Sequence, residues 1–194
     1  MRLVIVPRWG GHVDSDFYPW LRESLGEAFD AVETAELAPT ADAPRIEPSV
    51  AALRRVLGED ASRTIVMGHS VGAQIVLRAL AELGAELGAE LGPGAGAGAG
   101  AVAGCLLVAG WLWVDQPWDS IRPYMDEPID TERAAAAVRA TRVLLSTNDR
   151  FTADHQATQA AFEARLGARV RVVEGRDHFN ASPQPEVRQE LLAL

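Results

Sequence analysis

Thr64-Ile65-Val66-Met67-Gly68-His69-Ser70-Val71-Gly72-Ala73-Gln74-Ile75-Val76-Leu77 is the stretch that decides the fold. Thr64 to Met67 is a short β-branched and apolar run, and from Val71 to Leu83 the apolar residues recur at helical spacing. Between them a serine is bracketed by Gly68 and Gly72, so a strand passes through a tight turn directly into a helix. The same alternation extends in both directions. Leu3–Val6, Cys105–Val108, Val143–Ser146 and Val170–Val173 read as strands, with a weaker one near Ala31–Leu37. Helical patterns fall over Phe17–Phe29, Ser49–Leu57, Thr131–Ala140, Thr152–Leu166 and Pro185–Leu192. Most of the strand runs are continuously apolar, as expected where both faces of a parallel sheet are covered. Strand–helix alternation predicts a doubly wound α/β fold of about six mostly parallel strands with helices on both faces.

The chain has 194 residues, enough for one domain (1–194) with a sizeable core. A single Cys excludes an internal disulfide framework, and Cys105 in a buried strand reads as a packed thiol. The formal charge of −9 argues against nucleic acid or an anionic membrane as partner. All 18 basic residues are Arg. Leu91–Val114 lacks charge, but only Ala101–Val114 is convincingly apolar, which is too short to span a bilayer. The N-terminal apolar run is too short for a signal-peptide core, so a cytoplasmic protein is expected. Ala-Glu-Leu-Gly repeats from Ala81 to Gly92 extend a helix by a turn or two, and Gly/Ala alternation follows to Gly100. Residues 84–101 are therefore read as a flexible Gly/Ala-rich insertion within the one domain.

The chemistry follows from which residues the strand ends deliver. A G-x-S-x-G turn between strand and helix exposes the Ser oxygen at the carboxyl edge of the sheet, with a helix amino terminus behind it. A nucleophilic Ser needs a base, and the base needs an orienting carboxylate. Of the two His residues downstream of Ser70, His178 lies in the loop after the strand Val170–Val173, whereas His155 falls inside a helical pattern. Asp149 follows the strand Val143–Ser146. Its rival Asp177 adjoins His178 too closely to reach the imidazole well, and Asp154 suits the first turn of a helix. Ser70, Asp149 and His178 therefore stand as nucleophile, acid and base. An oxyanion would be held by the N–H of Val71 and that of Trp9, with Arg8 as second choice, from the loop Pro7-Arg8-Trp9-Gly10-Gly11.

Pro7-Arg8-Trp9-Gly10-Gly11, Phe17-Tyr18-Pro19-Trp20-Leu21, Gly68-His69-Ser70-Val71-Gly72, Asn148-Asp149 and His178-Phe179-Asn180 together resemble the small serine hydrolases related to retinoblastoma-binding protein nine and bacterial YdeN. The resemblance spans nearly the whole chain apart from the Gly/Ala segment. It implies a compact, lidless α/β-hydrolase fold and a Ser70–Asp149–His178 triad. The chain departs from the family pattern at Arg8, Arg150 and Asp177, where a small residue, Pro and Gly are common.

Most of the aromatic residues cluster in loops at the carboxyl edge, which suits an apolar acyl or aryl group. Arg8, Trp111, Trp113, Phe151 and Phe179 are the expected substrate contacts. His69 is expected to pack behind the Ser turn. Neither a cofactor nor a metal is expected, because no spaced ligand cluster or phosphate loop is present. The expected activity is hydrolysis of a small carboxylic ester, with a thioester or amide as alternatives, by a monomer or small homo-oligomer. A protein-interaction module retaining the fold, and an acyltransferase on the same triad, are the competing readings.

Overall fold

A computed structural model describes residues 1–58, 61–91 and 101–194. Six strands form one wholly parallel sheet in the order β2-β1-β3-β4-β5-β6. They are β1 (Arg2–Val6), β2 (Ala31–Thr34), β3 (Thr64–His69), β4 (Gly104–Val108), β5 (Thr141–Ser146) and β6 (Arg169–Val173). The helices are α1 (Tyr18–Leu25), α2 (Ile46–Leu57), α3 (Val71–Leu91), α4 (Arg122–Asp126), α5 (Thr131–Ala136), α6 (His155–Leu166) and α7 (Pro185–Leu192). The expected doubly wound fold is thus observed. The weak Ala31–Leu37 run is the half-exposed edge strand β2.

The central strands are apolar throughout because successive side chains enter different cores. Val4, Val66, Cys105, Leu107, Val143 and Leu145 join a core built with α2, α3 and α6. Leu3, Ile5, Met67, Leu106, Val108 and Leu144 join the opposite core with α1 and α7. Cys105 is a fully buried free thiol, and burial raises its pKa well above the ordinary thiol range. On the edge, Glu190 of α7 pairs with Arg142 of β5 at 2.5 Å and Arg171 of β6 at 3.0 Å.

Two boundaries differ from the sequence reading. Helix α3 runs to Leu91, so residues 84–91 of the segment expected to be flexible are helical. Ala, Glu and Leu are strong helix formers and outweigh one Gly in four. Arg54 of α2 also pairs with Glu86 at 2.8 Å. Residues 92–100, the Gly/Ala alternation, lie outside the described residues. The short α4 has no counterpart among the expected helices; it interrupts the long connection after β4.

Gly72 fixes where α3 starts. A Cβ there would collide with the carbonyl oxygen of Val6 and come within 2.7 Å of that of Pro7. One at Gly68 would come within 2.6 Å of Ala73 Cα. The first turn of α3 therefore packs backbone to backbone against the end of β1. Gly88, on the same helix, has nothing beyond its own helix among the described residues within 4 Å of the point where a Cβ would stand. Gly72→Ala should lower unfolding stability by about 3 kcal/mol or more. Gly88→Ala should raise it by up to about 1 kcal/mol through helix propensity. Urea midpoints of the two variants check both; equal effects would contradict the close-packing account.

Candidate active site

Ser70 sits between β3 and α3 with φ of +56°, the left-handed region that only an enforced turn imposes on a Ser. Its N–H donates to Val108 O at 2.9 Å, which ties the turn to the end of β4. Asp149 follows β5 and His178 follows β6, so three strand ends bring their side chains to one edge. All three residues are more than nine-tenths buried. His178 Nδ1 lies 2.7 Å from Asp149 Oδ2, and the other carboxylate oxygen accepts the Phe151 N–H at 2.9 Å. The rivals are occupied elsewhere. Asp177 Oδ1 accepts from Asn148 Nδ2 at 2.6 Å, and Asp154 caps α6 by accepting the Ala157 N–H.

Asn148 latches the loop of Asp149 to the loop of His178. Besides its donation to Asp177, its Oδ1 accepts the Asp177 N–H at 2.9 Å and the Ser146 hydroxyl at 2.7 Å. Ser146 Oγ in turn accepts the Arg176 N–H at 2.9 Å. The loop of His178 carries left-handed φ at both Asp177 and Phe179, and these contacts hold it in that conformation.

A second chain of hydrogen bonds runs beneath the Ser. The Arg8 N–H donates to Tyr18 Oη at 3.1 Å, and Tyr18 Oη lies 2.8 Å from His69 Nδ1. His69 Nε2 lies 2.8 Å from the carbonyl oxygen of His178. A carbonyl only accepts, so Nε2 carries the proton and Nδ1 accepts the Tyr18 hydroxyl. Complete burial, with the neighbouring His178 as a lesser cause, lowers the His69 pKa to about 3 and keeps the ring neutral. Burial likewise pushes the Tyr18 hydroxyl far above its ordinary value. His69 thus packs behind the turn, as expected, and also joins the loop after β1 to the backbone of His178.

Ser70, Val71 and His178 line a cavity of about 510 Å³. Of the expected substrate contacts, Arg8, Trp111 and Phe151 line it, as does Trp9. Trp113 and Phe179 do not. Phe179 is fully buried in the core beneath α1 and α7, because its left-handed backbone turns it away from the side His178 faces. Trp118, Ile121, Arg150 and Asn180 complete the lining and are not among the expected contacts. Trp118 is visible in the sequence as one of the clustered aromatics; loop residues such as Asn180 carry no periodic signal. The connection after β4 is held over α3 by Arg78, which donates to Gln74 Oε1 at 2.6 Å and to the carbonyls of Tyr124 and Glu127 at 3.0 and 2.6 Å. A cavity of about 560 Å³ lies against Trp9 and Tyr124, but neither Ser70 nor His178 lines it. Among the described residues no cluster of metal-binding side chains occurs, and no helix is long and apolar enough to cross a membrane.

The chain is similar in fold to several solved structures. The ydeN gene product of Bacillus subtilis superposes with a TM-score of 0.82 at 17% identity, over 99% of this chain and 97% of that one. A putative YdeN-like hydrolase of Pectobacterium atrosepticum gives 0.67 at 20% identity, over 99% and 89%. Est1E of Butyrivibrio proteoclasticus, solved with ferulic acid bound, gives 0.69 at 10% identity, over 99% and 86%. No curated protein matches the chain in sequence. The model of the serine hydrolase family matches residues 3–186, nearly the whole of the sheet and its helices. With that match, and an α/β-hydrolase fold that carries a Ser at the strand-to-helix turn, the chain belongs to the serine hydrolase family.

Proposed function

We propose that the enzyme cleaves a small carboxylic ester through an acyl-enzyme, with Ser70 as nucleophile, His178 as general base and acid, and Asp149 as the residue that orients the imidazole. The observation that carries this reading is the 2.7 Å contact of His178 Nδ1 with Asp149 Oδ2, beside a cavity that His178 and Ser70 both line. Asp149 Oδ2 accepts a hydrogen bond from the Nδ1–H, which holds the tautomer in which Nε2 is free to take the proton of Ser70. The Ser70 oxygen then bonds to the carbonyl carbon. The resulting oxyanion is held by the N–H groups of Val71 and Trp9. Neither has an acceptor among the described residues, whereas the Arg8 N–H is engaged by Tyr18. The amino terminus of α3 adds favourable potential for that charge. Collapse expels the alcohol with the proton from His178, and water repeats the sequence to release the acid. Trp9, Trp111, Trp118, Ile121 and Phe151 offer an apolar wall to the acyl group. A thioesterase of Streptomyces coelicolor, RedJ, is also similar in fold, with a TM-score of 0.61 at 18% identity. It keeps a thioester as the nearest alternative bond.

Fluorophosphonate labelling and hydrolysis of a short p-nitrophenyl ester test the reading. Ser70→Ala should abolish labelling. Asp149→Asn should retain the fold and lower kcat by roughly a thousand- to ten-thousand-fold, because the imidazole loses its correct tautomer. Labelling that survives Ser70→Ala, or Asp149→Asn at near wild-type rate, would contradict it.

The neutral His69 has a consequence for stability. An unfolded His69 takes up a proton near its ordinary value of about 6.5, while the folded one resists to about 3. Between those values the unfolded state binds more protons, so stability contributed by this group falls as pH falls. The stability advantage of wild type over His69→Gln should therefore shrink by about 2 kcal/mol from pH 7 to pH 5. Urea unfolding at the two pH values checks this; a constant gap would show that folded His69 takes up its proton as readily as unfolded His69.

A further inference from the structure

Two cavities meet at His178. The first, of about 510 Å³, is the aromatic-walled one that contains Ser70. The second, of about 440 Å³, shares Arg150, His178 and Asn180 with it and adds polar walls from Arg176, Asp177 and Gln184. Three guanidinium groups line the pair, and they are not equivalent. Arg8 is clamped by Asp16, with nitrogen–oxygen distances of 2.7 and 3.1 Å, and also donates to Trp9 O. Arg176 is paired with Glu186. Arg150 stands over the Phe151 ring, 4.8 Å from its centroid, and has no carboxylate partner among the described residues. Phe151 in turn meets the His178 ring at 4.6 Å. The uncompensated cation of the two cavities is therefore parked one aromatic ring away from the candidate base. The ring face holds the guanidinium by a cation–π contact and leaves its N–H edge available to an oxyanion.

Stereochemistry decides which part of a substrate reaches that edge. In acylation the bond from Ser70 Oγ to the carbonyl carbon forms and the bond from that carbon to the leaving oxygen breaks. The leaving oxygen takes the proton that His178 received from Ser70. The leaving group must then lie against His178, while the carbonyl oxygen lies against Val71 and Trp9. Beyond His178 the leaving group meets Arg150 and the polar cavity. Resting on the triad reading above, we propose that the enzyme is selective for esters whose leaving alcohol bears an anionic group such as a carboxylate, with Arg150 as the residue that recognises it. Asp177 also lines the polar cavity, with one oxygen engaged by Asn148. Its charge confines the anion to the Arg150 rim.

The test uses three butyrate esters, of meta-hydroxybenzoate, meta-hydroxybenzamide and meta-(aminomethyl)phenol, with wild type, Arg150→Ala and Arg150→Lys. Comparing each ester across variants cancels the differing acidity of the phenols. In wild type the benzoate-to-benzamide ratio of kcat/KM should fall as ionic strength rises. Arg150→Ala should reduce the benzoate-to-benzamide ratio of kcat/KM about three- to fivefold, and Arg150→Lys should restore part of it. A benzoate-to-benzamide ratio unchanged by Arg150→Ala, an equal loss on all three esters, or an ammonium-to-benzamide ratio lowered by Arg150→Ala would each overturn the proposal. If wild type cleaves none of the three, the triad reading itself fails and the proposal falls with it.

Discussion

Gly72 has space for a hydrogen atom and little more. A Cβ on it would run into the Val6 and Pro7 carbonyl oxygens, so α3 can begin only where the backbone of β1 ends. Much of the site follows from that approach. It confines Ser70 to a left-handed φ of +56° between β3 and α3, and it brings the loop of Trp9 beside the first turn of α3, with the Val71 N–H. A side chain at this position would separate the two backbones that supply the proposed oxyanion donors. The strain of a left-handed Ser, of order 1–3 kcal/mol, is offset by the packing of a sheet whose central strands are buried on both faces.

Asp149 and His178 need a different constraint, because their loops are long and irregular. Asn148 joins them by hydrogen bonds to Asp177 and Ser146, and the His69 ring holds the His178 backbone from below. His69 is adjacent to Ser70 in sequence, and its partner Tyr18 accepts from the N–H that precedes Trp9. A single buried, uncharged imidazole therefore connects the Ser70 turn, the loop after β1 and the loop of His178. Keeping that ring neutral is a matter of burial, since its two nitrogens already have one acceptor and one donor as partners.

What was legible in the sequence was what depends on local pattern. The apolar runs marked the parallel strands because two-sided burial removes alternation, and the Gly-bracketed Ser marked the turn because few other residues fit there. Asp149 and His178 could be chosen because each follows a strand, and a parallel sheet sends all such loops to one edge. The walls of the cavity were less legible. Phe179 adjoins His178 in sequence but is turned into the core by its left-handed backbone, whereas Ile121 and Asn180 reach the cavity from irregular segments with no period. The hydrogen bonds of His69 depend on Tyr18, 51 residues away, and on a carbonyl 109 residues away, separations that no local pattern encodes.

The central claim is that Ser70 carries the acyl group of the substrate. Acid quenching during turnover of a slowly released ester, followed by peptide mass spectrometry, tests it most directly. The account predicts a mass increase equal to the acyl group on the peptide containing Ser70, lost on further incubation before the quench. Turnover with no adduct, or an adduct on another residue, would contradict it.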